Sequence, residues 1–141
     1  MSVIFPSAEW FQEAADRLNA SDSFQRLGSC DAAIGVQVDD RCFSITFDAF
    51  AITKVAEVPC EAPGDLDFVL LQTREAWQAM LNNIKANGAA EALFTLNSLD
   101  LQTPEGLATG EDYTRRDLFY RYNQTFQDYF DISAEMETTF A

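Results

Sequence analysis

Ala32-Ala33-Ile34-Gly35-Val36-Gln37-Val38-Asp39-Asp40-Arg41-Cys42-Phe43-Ser44-Ile45-Thr46-Phe47 is the stretch on which the fold turns. Ile34, Val36 and Val38 alternate with smaller or polar residues, Asp39-Asp40 suits a two-residue turn, and Phe43, Ile45 and Phe47 resume the alternation. A turn at 39 and 40 pairs Val36 with Phe43, Ile34 with Ile45 and Ala32 with Phe47, so the large apolar residues share one face. Gly35, Gln37, Ser44 and Thr46 take the other. Such a hairpin needs a cover for its apolar side, and the sequence on either side of it is helical.

Before the hairpin, Ser7 is the expected N-cap of a helix whose Trp10, Phe11, Ala14, Ala15 and Leu18 form one apolar face. Asn19 ends it, and Ser21 opens a second, short helix with Phe24 and Leu27 on one side and Gly28 as its stop. After the hairpin, Ala51 to Val58 is expected to be an edge strand, because Lys54 interrupts its apolar face. Pro59 to Gly64 is loop. Phe68-Val69-Leu70-Leu71 is a continuous apolar run, the pattern of a central strand buried on both faces. Thr73 caps a helix with Trp77, Met80, Leu81 and Ile84 at i, i+3, i+4 and i+7. A further helix from about Ala89 points Ala92, Leu93 and Leu96 inward, Gln102 to Gly106 is loop around Pro104, and Gly106 to Thr109 is a brief last strand. From about Tyr113 to Phe130 a long helix carries the aromatic stripe Leu118, Phe119, Tyr122, Phe126, Tyr129 and Phe130. The sequence therefore predicts an α+β domain over residues 1–130, a mixed, largely antiparallel sheet of about five strands covered by helices. Residues 131–141 are expected to fray as a C-terminal tail.

Composition narrows the function. Nine Lys and Arg against 23 Asp and Glu give a net charge of −14, which opposes nucleic-acid phosphates and anionic membranes. A chain of 141 residues with 12 phenylalanines can bury a sizeable core without staples. There is no histidine to serve routine acid–base or metal chemistry. Cys30, Cys42 and Cys60 are odd in number and lack CxxC spacing, so they read as reduced thiols of a cytoplasmic protein. No apolar stretch has the length of a membrane span or a signal peptide, so no stable membrane insertion is expected.

The order of elements, together with Phe5-Pro6-Ser7-Ala8-Glu9-Trp10-Phe11, Phe43-Ser44-Ile45-Thr46-Phe47, Asp67-Phe68-Val69-Leu70 leading to Trp77, and Gly106-Leu107-Ala108-Thr109-Gly110-Glu111, resembles the sterol carrier protein 2 (SCP2-like) family over about residues 5–130. The family's last strand is a longer alternating run with a basic residue or two, and here it is abbreviated. The resemblance implies an apolar cavity between sheet and helices that holds a lipid, fatty acyl chain or sterol-like molecule. Phe43, Ile45, Phe47, Trp77, Met80, Leu81, Phe94, Phe119, Tyr122 and Phe126 are the candidate lining residues, although stripes at helical spacing are also what any packed helix shows. A pocket of about 300 Å³, at roughly 24 cal/mol per Å³ of void, costs on the order of 7 kcal/mol when dry, against a total stability of about 5–15 kcal/mol. Such a cavity is therefore filled, wet or collapsed.

No cofactor is implied, and the expected partner is an apolar small molecule or lipid. Asp65, Asp67, Glu111, Asp112 and Asp117 lack calcium-loop spacing and read as solvated surface and caps. Arg115-Arg116 is the single adjacent basic pair, suited to a ligand carboxylate or phosphate, or to pairing with Glu111, Asp112 or acids of the first helix. Two alternatives stand beside a carrier. One is an interaction module, such as a homodimer, using the aromatic C-terminal helix, which otherwise serves as a lid. The other is a small enzyme using Asp112, Tyr113 or Tyr122.

Overall fold

A computed structural model describes residues 2–26, 28–103, 106–110 and 112–140. Leu27, expected on the second helix, and Glu111, expected near the basic pair, lie outside them, as does Pro104.

The hairpin forms with the register derived above. Strands β2 (Ala32–Val38) and β3 (Arg41–Asp48) are antiparallel, with Val36 opposite Phe43, Ile34 opposite Ile45 and Ala32 opposite Phe47. Asp39 adopts φ 54° in the turn, a left-handed conformation that short polar residues tolerate. Strand β4 (Ala51–Val58) pairs antiparallel with β3 and is the sheet edge, as its broken pattern predicts. Part of that edge is satisfied from outside the sheet. Asn19 presents its amide to Ile52, accepting from the backbone N at 2.8 Å and donating to the O at 3.0 Å, as a neighbouring strand would.

Strand β5 (Phe68–Gln72) runs parallel to β2 on its other side, and the short β6 (Ala108–Thr109) closes the order β4-β3-β2-β5-β6. The middle strand of the five is thus β2, with β5 beside it as an interior strand paired on both sides, and the expected two-face burial of β5 is corrected. Phe68 and Leu70 are buried, but Leu71 is 43% exposed. The face of β2 and β3 that carries Gly35, Cys42 and Ser44 is not bare either, because the β4–β5 crossover passes over it. A Cβ on Gly35 would lie 2.9 Å from Leu66 Cδ1, and Asp67 N donates to Ala33 O. Cys42 and Cys60 are joined in a disulfide, with Cα atoms 5.2 Å apart. The expectation of three reduced thiols is corrected. The crossover brings Cys60 back to β3, a return that residue spacing does not reveal.

Helix α1 (Ala8–Asn19) starts from Ser7 and buries Trp10, Phe11, Ala14, Ala15 and Leu18, as read from the sequence. α2 (Asp22–Arg26) buries Phe24. α3 (Arg74–Asn87), capped by Thr73 and ended by Gly88 at φ 84°, buries Trp77, Met80, Leu81 and Ile84. The following helix is shorter than expected. A 3-10 turn at Ala92–Phe94 precedes α4 (Leu96–Gln102), which buries Leu96, while Leu93 is 70% exposed and Ala92 is also outside.

The long C-terminal helix is broken into α5 (Tyr113–Arg116), α6 (Leu118–Arg121) and α7 (Asn123–Asp131). Tyr122 leaves helical geometry at φ −112° and ψ 25°, in a run of Asn, Thr and aromatic residues with modest helix propensity. Beyond it the chain does not fray. A 3-10 turn at Ile132–Glu135 leads to β7 (Thr138–Phe140), which pairs parallel with β1 (Val3–Phe5), and Met136 is fully buried. Lys85 Nζ donates to the carbonyls of Ala134 and Met136. The expected tail is thus part of the domain. Among the described residues, no helix is long and apolar enough to cross a membrane.

Candidate functional site

The candidate lining residues meet one another between sheet and helices. Phe43, Ile45, Phe47, Trp77, Met80, Leu81, Phe119 and Phe126 are all buried, and Phe94 and Tyr122 are half-buried against them. Their rings are in contact. Phe47 lies 5.3 Å from Phe126, Phe68 lies 5.4 Å from Phe126 and 5.8 Å from Phe119, and Phe11 lies 4.6 Å from Phe43. Trp77 stacks on Phe130 at 5.0 Å. Among the main cavities, Leu81 borders one of about 70 Å³ and Phe94 a surface depression of about 230 Å³. The large rings of the sheet face are therefore packed as solid core.

An opening of about 500 Å³ lies at one end of the sheet, between the start of α3 and the α4–β6 turn. Asp39, Leu71, Gln72, Thr73 and Ala76 form one wall, and Thr103, Gly106 and Thr109 the other. The first wall is tied to the hairpin. Asp39 Oδ1 accepts from Arg74 N at 2.9 Å, Asp39 N donates to Gln72 O, and Trp77 Nε1 donates to Gln37 O at 2.9 Å. Thr73 Oγ1 accepts from Ala76 N, capping the helix.

The second wall is held by a buried carboxylate. Asp100 Oδ1 accepts from Leu107 N at 2.6 Å and Ala108 N at 3.2 Å, and Oδ2 accepts from Tyr120 Oη at 2.7 Å. The bond to Asp100 raises the Tyr120 phenol above its ordinary pKa, with burial adding to the shift. Gly106 stands at φ 83°, and a Cβ there would come 3.0 Å from Asp100 Oδ1, so the turn calls for glycine on both counts. Leu71 N donates to Leu107 O, and Thr109 Oγ1 to Val69 O, which joins the two walls through β5 and β6.

One lining residue carries a polar atom that is left over. Gln72 Nε2 is buried and has no hydrogen-bond partner. Alternation along β5 puts Gln72 on the face of Phe68 and Leu70, so its amide ends a core-facing row where the sheet stops.

The basic pair is otherwise engaged. Arg115 Nε and Nη1 donate to Asp67 and Asp65, each at 2.7 Å, which holds its guanidinium well above the usual range. Asp67 also accepts from Ala33 N. These partners lie on the crossover, not on α1 or at Asp112. Asp112 instead caps α5 by accepting from Thr114 N and Arg115 N, and Arg116 sits 4.5 Å over the Tyr113 ring. Cys30 is buried, and desolvation pushes its thiol up to about 12. Among the described residues, no group of three acidic, cysteine or histidine side chains is placed to hold a metal ion.

Compared with known proteins, the chain matches no family model, no curated protein and no solved structure.

Sequence reasoning placed Asp39 in the turn and Thr73 at the cap without joining them to a site. The groove is made of turn and cap residues brought together by the hairpin and by Asp100. The one signal available was Gln72, a polar residue at the end of a core-facing row.

Proposed function

We propose that this protein is a non-enzymatic binding or carrier protein for an apolar ligand such as a lipid, acyl chain or sterol-like molecule, held in the groove at the β5–β6 end of the sheet. The observation that carries this reading is a groove of about 500 Å³ lined by Leu71, Ala76 and Gln72, a residue whose buried Nε2 has no partner in the folded chain. Small-molecule sites span about 300–1,000 Å³ and pair apolar walls with a few polar groups that set orientation. A ligand burying about 250 Å² of apolar surface gains about 6 kcal/mol before association costs. The resemblance to the sterol carrier protein 2 family supports the ligand class, and the filled core moves the proposed site from the sheet face to the groove.

The charge of −14 favours a small molecule over nucleic acid. A cytoplasmic location belongs to the same proposal, and a reducing compartment would tend to open the Cys42–Cys60 bond. Dimerisation through the aromatic stripe lacks support, since Phe119, Phe126, Tyr129 and Phe130 are buried. The exposed Leu93 and Leu101 are the surface such a second reading would use.

Native mass spectrometry of the protein as purified tests the carrier reading, followed by melting in the presence of fatty acids, alcohols, acyl-CoAs and sterols. A retained lipid, or a melting temperature that rises with one ligand class, is expected. A bare chain with a flat melting temperature across the panel overturns the reading.

A further inference from the structure

We infer that the groove selects an uncharged apolar molecule whose polar end carries an acceptor oxygen, such as an alcohol, with Gln72 as the residue that donates to that oxygen and Asp39 as the group that turns anions away. This rests on the ligand site proposed above and names the chemistry of its polar end.

Three observations converge. The buried Nε2 of Gln72 has no partner in the folded chain, and a buried donor is driven to find one. A neutral acceptor oxygen, such as that of an alcohol, answers this donor without bringing a charge.

The second observation is the charge of the lining. Asp39 brings a carboxylate, and among the described residues no Lys or Arg lines the groove. Arg74, next along the chain from Thr73, is exposed, and only its backbone N–H is engaged with Asp39. A fatty-acid carboxylate or the phosphates of an acyl-CoA would enter beside a like charge with no cation to meet them.

The third is that the cation best suited to an anionic head, Arg115, is neutralised by Asp65 and Asp67 on the crossover. It lines a different depression, with Pro63, Gly64 and Thr109.

The test is binding of 1-dodecanol, dodecanoate and dodecane to the full chain at submicellar concentration, by calorimetry and by shift in melting temperature. The expected result is dodecanol at least about tenfold tighter than dodecanoate, the size of one hydrogen bond gained and one repulsion avoided. Gln72→Leu and Gln72→Met should lose about tenfold for dodecanol and leave dodecane unchanged, because only the polar end is affected. Leu71→Lys, on an exposed strand position at the groove, should admit dodecanoate and narrow the gap.

Equal binding of dodecanol and dodecanoate to the native chain overturns the inference while leaving the carrier reading intact. So does a Gln72→Leu protein that still prefers the alcohol. If none of the three probes binds while an acyl-CoA or sterol of the panel does, the inference falls and the carrier reading stands; if the chain is bare and nothing binds, both fall.

Discussion

Asp100 is the residue whose removal should do the most damage for its size. It is 6% exposed, and its two oxygens receive the Leu107 and Ala108 backbone N–H groups and the Tyr120 hydroxyl. In Asp100→Ala the hydroxyl of Tyr120 can turn to water, because that side chain is half exposed. The two N–H groups cannot, since Leu107 and Ala108 are buried at 0% and 3%. A buried donor left without an acceptor costs about 1–3 kcal/mol, so the pair costs about 2–6 kcal/mol. With a urea slope of about 2 kcal/mol per M, the unfolding midpoint should fall by roughly 1–3 M. Asp100→Asn keeps one oxygen for both N–H groups and should cost no more than about 1 kcal/mol. Urea titration followed by tryptophan fluorescence measures both. The same substitution should release Tyr120, lowering its phenol toward the ordinary range in an ultraviolet titration. An Asp100→Ala protein within about 1 kcal/mol of wild type, or an Asn variant as damaged as the Ala variant, would refute the claim that backbone donors at the turn are what Asp100 serves.

Three other perturbations read different parts of the structure. The Cys42–Cys60 bond closes a separation of 18 residues, and Cys42→Ala with Cys60→Ala should cost about 3 kcal/mol on the loop-entropy model. Thiol titration in denaturant should count one thiol before reduction and three after it, while native Cys30, with its thiol pushed up to about 12, should stay silent at pH 8; three thiols without reductant would disprove the bond. Burial raises the Asp131 carboxyl in spite of hydrogen bonds from Gln127 Nε2 and Ala90 N. A folded pKa above the unfolded one means that the native state binds the proton more tightly, so this group's contribution is present in acid and is lost as pH rises through the folded value. Asp131→Asn, which keeps the accepting oxygen, should equal or exceed wild-type stability at pH 7, with the gain vanishing below the carboxyl range; a gain that grew in acid would contradict the sign. Removing residues 132–141 should lower the melting temperature sharply, through loss of buried Met136 and of the β1–β7 pair, whereas a detachable lid would leave it unchanged.

What could be read from the sequence follows the range of the interaction that specifies it. The hairpin register, the buried faces of α1 and α3, and the caps Ser7 and Thr73 are fixed within a few residues by period and cap chemistry, and each was anticipated. The pairing of Val3 with Thr138 joins opposite ends of the chain through three-residue strands, too short to show a period. Strand β5 is flanked by β2 and β6 as an interior strand should be, but its burial was overestimated because four consecutive apolar residues suit either a two-face or a one-face strand, and Leu71 lies on the open face. The break at Tyr122 went unseen because the aromatic stripe keeps helical spacing across it.

The same limit explains why the expected cavity and the observed groove lie in different places. Large apolar residues are the conspicuous feature of this chain, so sequence reasoning directs a ligand to them. Yet twelve phenylalanines and two tryptophans in 141 residues are more than enough to close the space between sheet and helices, and rings in contact at about 5 Å gain dispersion that an empty chamber would forfeit. Space is left where that supply runs out, at the end of β5. There the core-facing row passes from Phe68 and Leu70 to Gln72, and the turn beyond α4 needs glycine at 106 to bend around Asp100. Filling the Gln72 position with an apolar side chain of similar volume should therefore stabilise the free protein while weakening its hold on a polar-headed ligand. A Gln72→Leu protein that gained neither stability nor lost affinity would show that the unpaired amide has no part in the site.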